Sequence, residues 1–377
     1  MRMLPAHRIL FFASAVATFA MQSKPTKSWG SGSASELALL ARIRARAAQT
    51  PASDLRLGIG DDCALLRLGP GEEMAVTTDL SIAGRHFRLD WHPPDAVGHR
   101  TLARGLSDLA AMGARPVAAF LSLGVPTSLI QDAKRRKPWI DGFLDGLLKL
   151  ADSHRVPLAG GDLAESPIAV ADIVLTGAVR RGKALLRSGA HPGDLLYVTG
   201  SLGGAAAGLA YLEELAGAFE ETPLPHSLPP RLPARLRAPL APHLFPTPRV
   251  DQGLWLVRRS LATAAIDISD GLSTDLAHLC QESGVAAEID AASLPIRPGA
   301  TLEQALNGGE DYELLFTARP AARLPRNIAS VPITRIGRIL RPRPDSPLLT
   351  LLTERGAEPF EPHGWEHFSQ VVSTRGV

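Results

Sequence analysis

The 377 residues predict an α/β or α+β protein in two parts. Three observations lead there. Apolar strand-like runs alternate with segments of helical period along most of the chain. The length suits about two domains of ordinary size. And 45% of residues are hydrophobic, enough to build cores without staples.

Ser35 can cap a first helix that puts Leu37, Leu40, Ile43 and Ala47 on one side. Residues 73–80 read as a strand carrying an aspartate near its end. Asp95 can cap a helix with Val97, Leu102, Leu106, Leu109 and Met112 at helical spacing, stopped by Gly113. Residues 117–123 look like a buried strand. Ile140, Phe143, Leu144, Leu147, Leu148 and Ala151 mark a second amphipathic helix. Strands follow near 156–159 and 168–179. The second part opens with strand 194–199 and helix 203–219. Residues 220–248 hold nine prolines and little apolar periodicity, which predicts a loop or insertion. Helix 250–262, strand 263–268, helix 272–283 and strands 285–290, 312–318 and 333–340 complete the pattern. The division is a leader 1–33, an N-terminal domain 34–180 and a C-terminal domain 181–370 with the 220–248 insertion.

Composition excludes several classes. Two cysteines, Cys63 and Cys280, support neither a disulfide framework nor a four-cysteine zinc site, and both read as small buried residues. The 40 basic and 38 acidic residues nearly cancel, so charge implies no nucleic-acid or membrane partner. Residues 1–21 resemble a signal peptide, with Arg2 and Arg8 flanking the apolar run 9–20. A start codon placed too far upstream, or a disordered extension, competes with export as the reading of this leader, and the rest of the chain argues for the cytoplasm.

The chemistry lies in a recurring local grammar, in which a glycine turn or an apolar strand delivers acidic residues. The instances are Gly58-Ile59-Gly60-Asp61-Asp62, Thr77-Thr78-Asp79, Ser107-Asp108, Gly160-Gly161-Asp162, Asp267-Ile268-Ser269-Asp270-Gly271 and Gly308-Gly309-Glu310-Asp311. One Gly-Asp is usually a turn. Asp108 is more telling, because it sits on the apolar side of its helix, where an unpaired carboxylate is costly. Oxygen donors without sulfur or imidazole suit Mg²⁺ or Ca²⁺ rather than zinc. The spacing is not that of an EF-hand. The stretch 177–184 misses the P-loop because Ala184 stands where a hydroxyl is needed. Glycines 200–208 read as turn and helix-packing residues.

Seven segments in order, GIGDDCALL (58–66), TTDLSIAGRHF (77–87), LSDLAAMGARP (106–116), AGGDLAESP (159–167), LRSGAHPGDLLYVTG (186–200), AIDISDGLSTDL (265–276) and NGGEDYEL (307–314), together resemble the thiamine-monophosphate kinase family. The resemblance covers roughly residues 34–370. It implies the aminoimidazole ribonucleotide synthetase-like fold, with an N-terminal sheet domain that forms a homodimer and a C-terminal α/β domain. It implies ATP as co-substrate, several Mg²⁺ ions, and thiamine monophosphate as acceptor. Carried over by position, Asp62, Thr77, Thr78, Asp79, Asp108, Asp162, Asp267 and Asp270 match metal positions. Gly161, Asp162, Arg187 and Ser269 match ATP contacts. His86, Glu310 and a C-terminal aromatic, Phe368 before Trp365, match the substrate pocket. The acceptor phosphate is already ionised, so direct in-line transfer needs no general base, and neutral His86 can donate a hydrogen bond. Asp311 can bind a turn backbone, Glu313 can face solvent, Asp275 can be structural or solvated, and Asp61 can brace its loop or bind metal. The alternatives are another ATP-using member of the superfamily, such as a selenophosphate synthetase or a hydrogenase-maturation protein, and a non-catalytic cation-binding module.

Overall fold

The computed structural model describes residues 36–50, 53–60, 62–130, 138–217 and 234–365. The leader, Asp61, Phe368 and the cap expected at Ser35 lie outside them.

Helix α1 (Glu36–Ala47) is followed by a small antiparallel pair, β1 (Leu55–Leu57) and β2 (Leu65–Leu66). Strand β3 (Glu72–Ile82) then leads into α2 (Pro94–Ala111), β4 (Arg115–Val125), the short α3 (Thr127–Ile130), α4 (Trp139–His154), β5 (Leu158–Glu165) and β6 (Val170–Arg180). These strands form a four-stranded sheet in the order β3-β6-β4-β5, with α4 bridging the parallel pair β4 and β5.

The remaining elements are β7 (Leu195–Thr199), α5 (Gly204–Gly217), α6 (Ala234–Leu244), α7 (Val250–Arg259), β8 (Ala262–Asp267), α8 (Leu272–Ser283), β9 (Ala286–Asp290) and α9 (Leu302–Asn307). Strands β10 (Leu314–Ala318), β11 (Asn327–Ile328), β12 (Val331–Leu340), β13 (Leu349–Thr353) and β14 (Gly356–Pro359) end the described chain. They build a second, mostly antiparallel sheet in the order β14-β13-β9-β12-β7-β10-β8, with β11 beside β12.

Helix α2 stands between the two halves. Its apolar stripe, including Leu102, Leu106 and Leu109, is fully buried with the first sheet, and the same core continues to Val250, Leu256 and Phe316 of the second half. Two glycines allow the close crossings. A Cβ on Gly98 would lie 1.8 Å from the carbonyl oxygen of Phe143 in α4, and one on Gly253 of α7 would lie 2.0 Å from that of Ala110. Gly113 ends the helix at φ +63°, as the spacing predicts.

Four expectations are corrected. Asp95 lies in the first turn of α2, because Pro93 occupies the N-cap and Pro94 supplies a preset φ at the first helical position. Part of the proline-rich stretch is α6, despite Pro239 and Pro242, because Leu240 and Leu244 bury fully in a cluster that includes Leu212 of α5. Packing there outweighs the two lost helix donors. Glu313 does not face solvent. It is buried, and both its oxygens accept from Arg249, each at 2.6 Å. Cys63 is exposed; Cys280 is buried, and burial pushes its thiol up to about 12.

Candidate active site

Acidic residues from three elements meet beside α2. Strand alternation turns Thr77 and Asp79 of β3 toward the helix. The Thr77 hydroxyl donates to Asp108 Oδ2, and the Nε of Arg104 stands 3.8 Å from Asp79 Oδ1. From the other half, Asp267 at the end of β8 accepts from Ser107 Oγ at 2.7 Å. Burial and the neighbouring Asp108 push the Asp79 carboxyl up to about 6, and burial with Asp108 pushes Asp267 up to about 7. Asp108 is itself raised, chiefly by burial. Asp79 Oδ2 is buried without a hydrogen-bond partner. Such a group is poised to meet a cation.

Asp275 organises the loop next to this group. It is buried, and it accepts from the amides of Ser269, Asp270 and Gly271 at 3.0, 3.0 and 3.1 Å. Its role is therefore structural, not that of a solvated surface residue. Asp311 does comparable work in the turn that follows α9. It accepts from the amides of Gly203 and Ala205 at 2.6 and 2.9 Å, tying the 308–311 turn to the start of α5.

Beside the acidic group opens a cavity of about 580 Å³. Its wall includes His86, Arg100, Arg104, Ser269, Asp270 and Glu310. Arg100 donates through Nη2 to both Glu310 oxygens at 2.6 Å and to the His86 carbonyl at 3.2 Å. Burial would raise the Glu310 carboxyl, but Arg100 and Arg104 outweigh it and hold the group below its usual value. Glu310 sits at φ +67° and Tyr312 at φ +51°, so this turn holds two non-glycine residues in the left-handed region. His86 Nδ1 accepts from the Ile82 amide at 3.0 Å, which leaves the proton on Nε2.

The structure thus brings Thr77, Asp79, Asp108 and Asp267 together, and places His86, Ser269, Asp270 and Glu310 around one cavity. Arg187 lies on an exposed turn, with its charge felt by Asp108 and Asp267. Trp365 joins the cavity wall. Other candidates stand apart. Asp62 is exposed in the segment between β1 and β2. Thr78 is exposed on the face of β3 away from α2, with Met74, Val76 and Leu80. Asp162 pairs in register with Ser122, which pairs with Asp172, so it too lies on that outer face. Gly161 lies so close to β4 that a Cβ would come within 1.9 Å of the Leu121 carbonyl oxygen. Among the described residues no three His, Cys, Asp or Glu side chains form a ready-made metal cage.

Sequence reasoning missed Arg100, Arg104 and His243. The first two did leave a signal. Arg100, Arg104 and Asp108 recur every four residues along one side of a helix that is otherwise largely apolar.

Residues 60–179 match the N-terminal domain of AIR synthase related protein, and residues 191–340 match its C-terminal domain. A thiamine-monophosphate kinase of Salmonella typhimurium is 38% identical over 346 residues, spanning 89% of this chain and 98% of that protein. This chain belongs to the thiamine-monophosphate kinase family. The Escherichia coli K12 thiamine-monophosphate kinase is likewise 38% identical, over 351 residues, with the same 89% and 98% coverage. The crystal structure of the family member from Stenotrophomonas maltophilia K279a is 39% identical, with a TM-score of 0.68 over 84% of this chain and 96% of that one. AaThiL complexed with AMPPCP and TMP is 28% identical, with a TM-score of 0.66 over 88% and 97%. A hydrogenase maturation protein HypE in complex with ATP, 18% identical, shares the fold. The chain therefore has the AIR synthase-like architecture of the family.

Proposed function

We propose that this chain transfers the γ-phosphoryl group of ATP to thiamine monophosphate, giving thiamine diphosphate and ADP. The observation that carries the reading is the 38% identity to thiamine-monophosphate kinases across almost their whole length. The geometry suits it. The acceptor joins a cationic ring system to a phosphate of roughly −1.5 to −2 charge. The cavity offers Glu310 for the cationic or amino-bearing end and lies next to the acidic group that faces the phosphates.

Two unit charges 4 Å apart repel by ~4 kcal/mol at an effective dielectric of 20, and each phosphate carries more than one. Arg104 and Arg187 supply part of the compensation. The orphaned Asp79 Oδ2 and the all-oxygen donor set fit Mg²⁺, which takes one or two carboxylates and completes its shell with water and phosphate oxygens. In our reading Asp79, Asp108 and Asp267, with Thr77, hold the ions on one side. Asp270, on the cavity wall, belongs to the same side, whereas Asp62, Thr78 and Asp162 stand apart from these ions and keep a metal role only by resemblance to the family. When bound, Mg²⁺ shields the two anions from one another and stabilises the charge on the transferring group. Ser269, Gly161 and Arg187 contact ATP. His86 Nε2–H donates to the substrate, and no side chain serves as a general base.

The division of the chain is a leader 1–33, a nucleotide-handling part 34–180 and a second part 181–370. The enzyme works in the cytoplasm as a homodimer joined through the first sheet, whose outer face exposes Met74, Val76 and Leu80. No helix of the described residues is long and apolar enough to cross a membrane. Incubating purified protein with ATP, Mg²⁺ and thiamine monophosphate, and separating the products by chromatography, tests the reaction. Thiamine diphosphate and ADP should appear in equal amounts, and ADP without thiamine diphosphate would rule the assignment out.

A further inference from the structure

Arg104 stands where the cavity meets the carboxylates, and much of its hydrogen-bonding capacity is unspent. Its side chain is 19% exposed and lines the cavity wall. Nη1 donates to the Leu80 carbonyl and to Ser81 Oγ, both at 3.3 Å, past the usual range for an N–H donor. Nε stands 3.8 Å from Asp79 Oδ1, which makes an ion pair but no hydrogen bond. Nothing among the described residues accepts from Nη2. The sealed polar side-chain atoms without a partner are, among the described residues, Asp79 Oδ2, Trp139 Nε1 and His243 Nδ1. Arg104 Nη2 and Nε are therefore open to a ligand. Burial opposes the charge of this guanidinium, but Tyr312, Glu310, Asp79 and Asp270 outweigh it and hold the group cationic.

Its place on α2 indicates what it meets. Arg100, Arg104 and Asp108 stand four residues apart, and four residues of helix rise ~6 Å. Arg100 holds Glu310, the group offered to the cationic or amino-bearing end of the acceptor. Asp108, bound by Thr77, belongs to the carboxylates that face the phosphates. Arg104 lies between the two, at the level to which an acceptor with its ring system at Glu310 brings its own phosphate. A guanidinium edge matches two oxygens of one phosphate, which an ammonium does not. We propose that Arg104 binds the phosphate of thiamine monophosphate, Nη2–H and Nε–H each donating to one oxygen, and so selects the phosphorylated acceptor over free thiamine. This rests on the thiamine-phosphate reading above. A phosphomonoester has three free oxygens. Two on Arg104 leave the third to form the new bond to the γ-phosphorus as the bond to ADP breaks, with the electron pair leaving on ADP.

Isothermal titration calorimetry of the full chain in Mg²⁺, with thiamine monophosphate and separately with thiamine, tests this against a merely structural role. The wild type should bind the phosphorylated form more tightly. Arg104→Met should weaken thiamine monophosphate about tenfold to a hundredfold, the size expected for hydrogen bonds to a charged group, and leave thiamine within about threefold. Arg104→Lys keeps the charge without the planar edge, so it should recover part of the preference and not all of it. In steady-state assays both variants should raise the KM for thiamine monophosphate and leave the KM for ATP unchanged. The preference is a ratio of two dissociation constants, so it does not depend on the fraction of a variant that folds. The proposal is overturned if Arg104→Met weakens both ligands by the same factor, which would make Arg104 a brace for the cavity wall. It is equally overturned if the KM for ATP rises instead, which would put the guanidinium on the nucleotide. Failure of the wild-type protein to form thiamine diphosphate would sink the kinase reading, and so is distinct from either result.

Discussion

At the scale of single residues, the site stores carboxylates at a cost to the fold. Asp79 and Asp267 are raised to about 6 and about 7, above the 3.8 of an unhindered aspartate. The folded state therefore holds protons that the unfolded chain releases. That penalty is absent below about pH 4, grows as pH rises toward the folded values, and is complete above them. Protein stripped of divalent ions should accordingly melt higher at pH 5 than at pH 7.5, and saturating Mg²⁺ with nucleotide should narrow the gap in thermal scans. Asp79→Asn removes one such charge. It should stabilise the metal-free protein by about 1–3 kcal/mol at pH 7.5 while abolishing thiamine diphosphate formation. A variant with full activity would show that this carboxylate takes no part in phosphoryl transfer. Asp108 was legible from sequence, because a carboxylate on an apolar helical stripe needs an explanation. Arg100 and Arg104 escaped because a long cationic side chain on a helix normally reads as a solvated edge. Only the packing of the second half against α2 turns them inward.

At the scale of elements, hydrophobic period located α2, α4, α8 and the central strands to within a few residues, because each presents an unbroken apolar face to one core. The pattern failed where that rule lapsed. Strands β1, β2, β13 and β14 are short and half exposed, so they carry little periodic signal. Helix α6 carries two prolines and is read as a helix only once α5 is beside it. Glu313 shows the limit for polar residues, since nothing in the sequence pairs it with Arg249, 64 positions away. That pair is bidentate and nearly dry, and Thr199 Oγ1 adds a third hydrogen bond at 2.6 Å. Removing one partner of a buried pair leaves an uncompensated charge. Arg249→Met should therefore cost about 3–5 kcal/mol in urea unfolding, and Arg249→Met with Glu313→Leu should recover much of it. Gly98→Ala should also destabilise, because its methyl has no room against the Phe143 carbonyl and α2 must move off α4. A shift of α2 would carry Arg100, Arg104 and Asp108 with it, so kcat should fall along with stability.

At the scale of the whole molecule, the two faces of the first sheet do different work. The inner face is sealed by α2 and carries Thr77 and Asp79 into the site. The outer face of the edge strand β3, which pairs with β6 on one side only, leaves Met74, Val76 and Leu80 at 48%, 59% and 46% exposure, an unusual row of apolar side chains. A second copy of the chain laid on this face would bury them without touching the inner carboxylates. Val76→Asp places a charge in the middle of that row while leaving the α2 side of the strand unaltered. If the homodimer proposed above forms through this face, sedimentation equilibrium should give the mass of two chains for the wild type and of one for the variant. Thermal stability should lose its dependence on protein concentration, since dissociation no longer precedes unfolding. The variant also separates the candidate site residues by face. Thr77, Asp79, Asp108 and Asp267 would remain in place in an isolated chain. Thr78 and Asp162, on the outer face, would lose any contribution that depends on the neighbouring copy. A monomeric variant that keeps substrate binding but raises the KM for ATP would place those two residues at the nucleotide end of the site. One that remains a dimer would remove the outer face of β3 from the interface altogether.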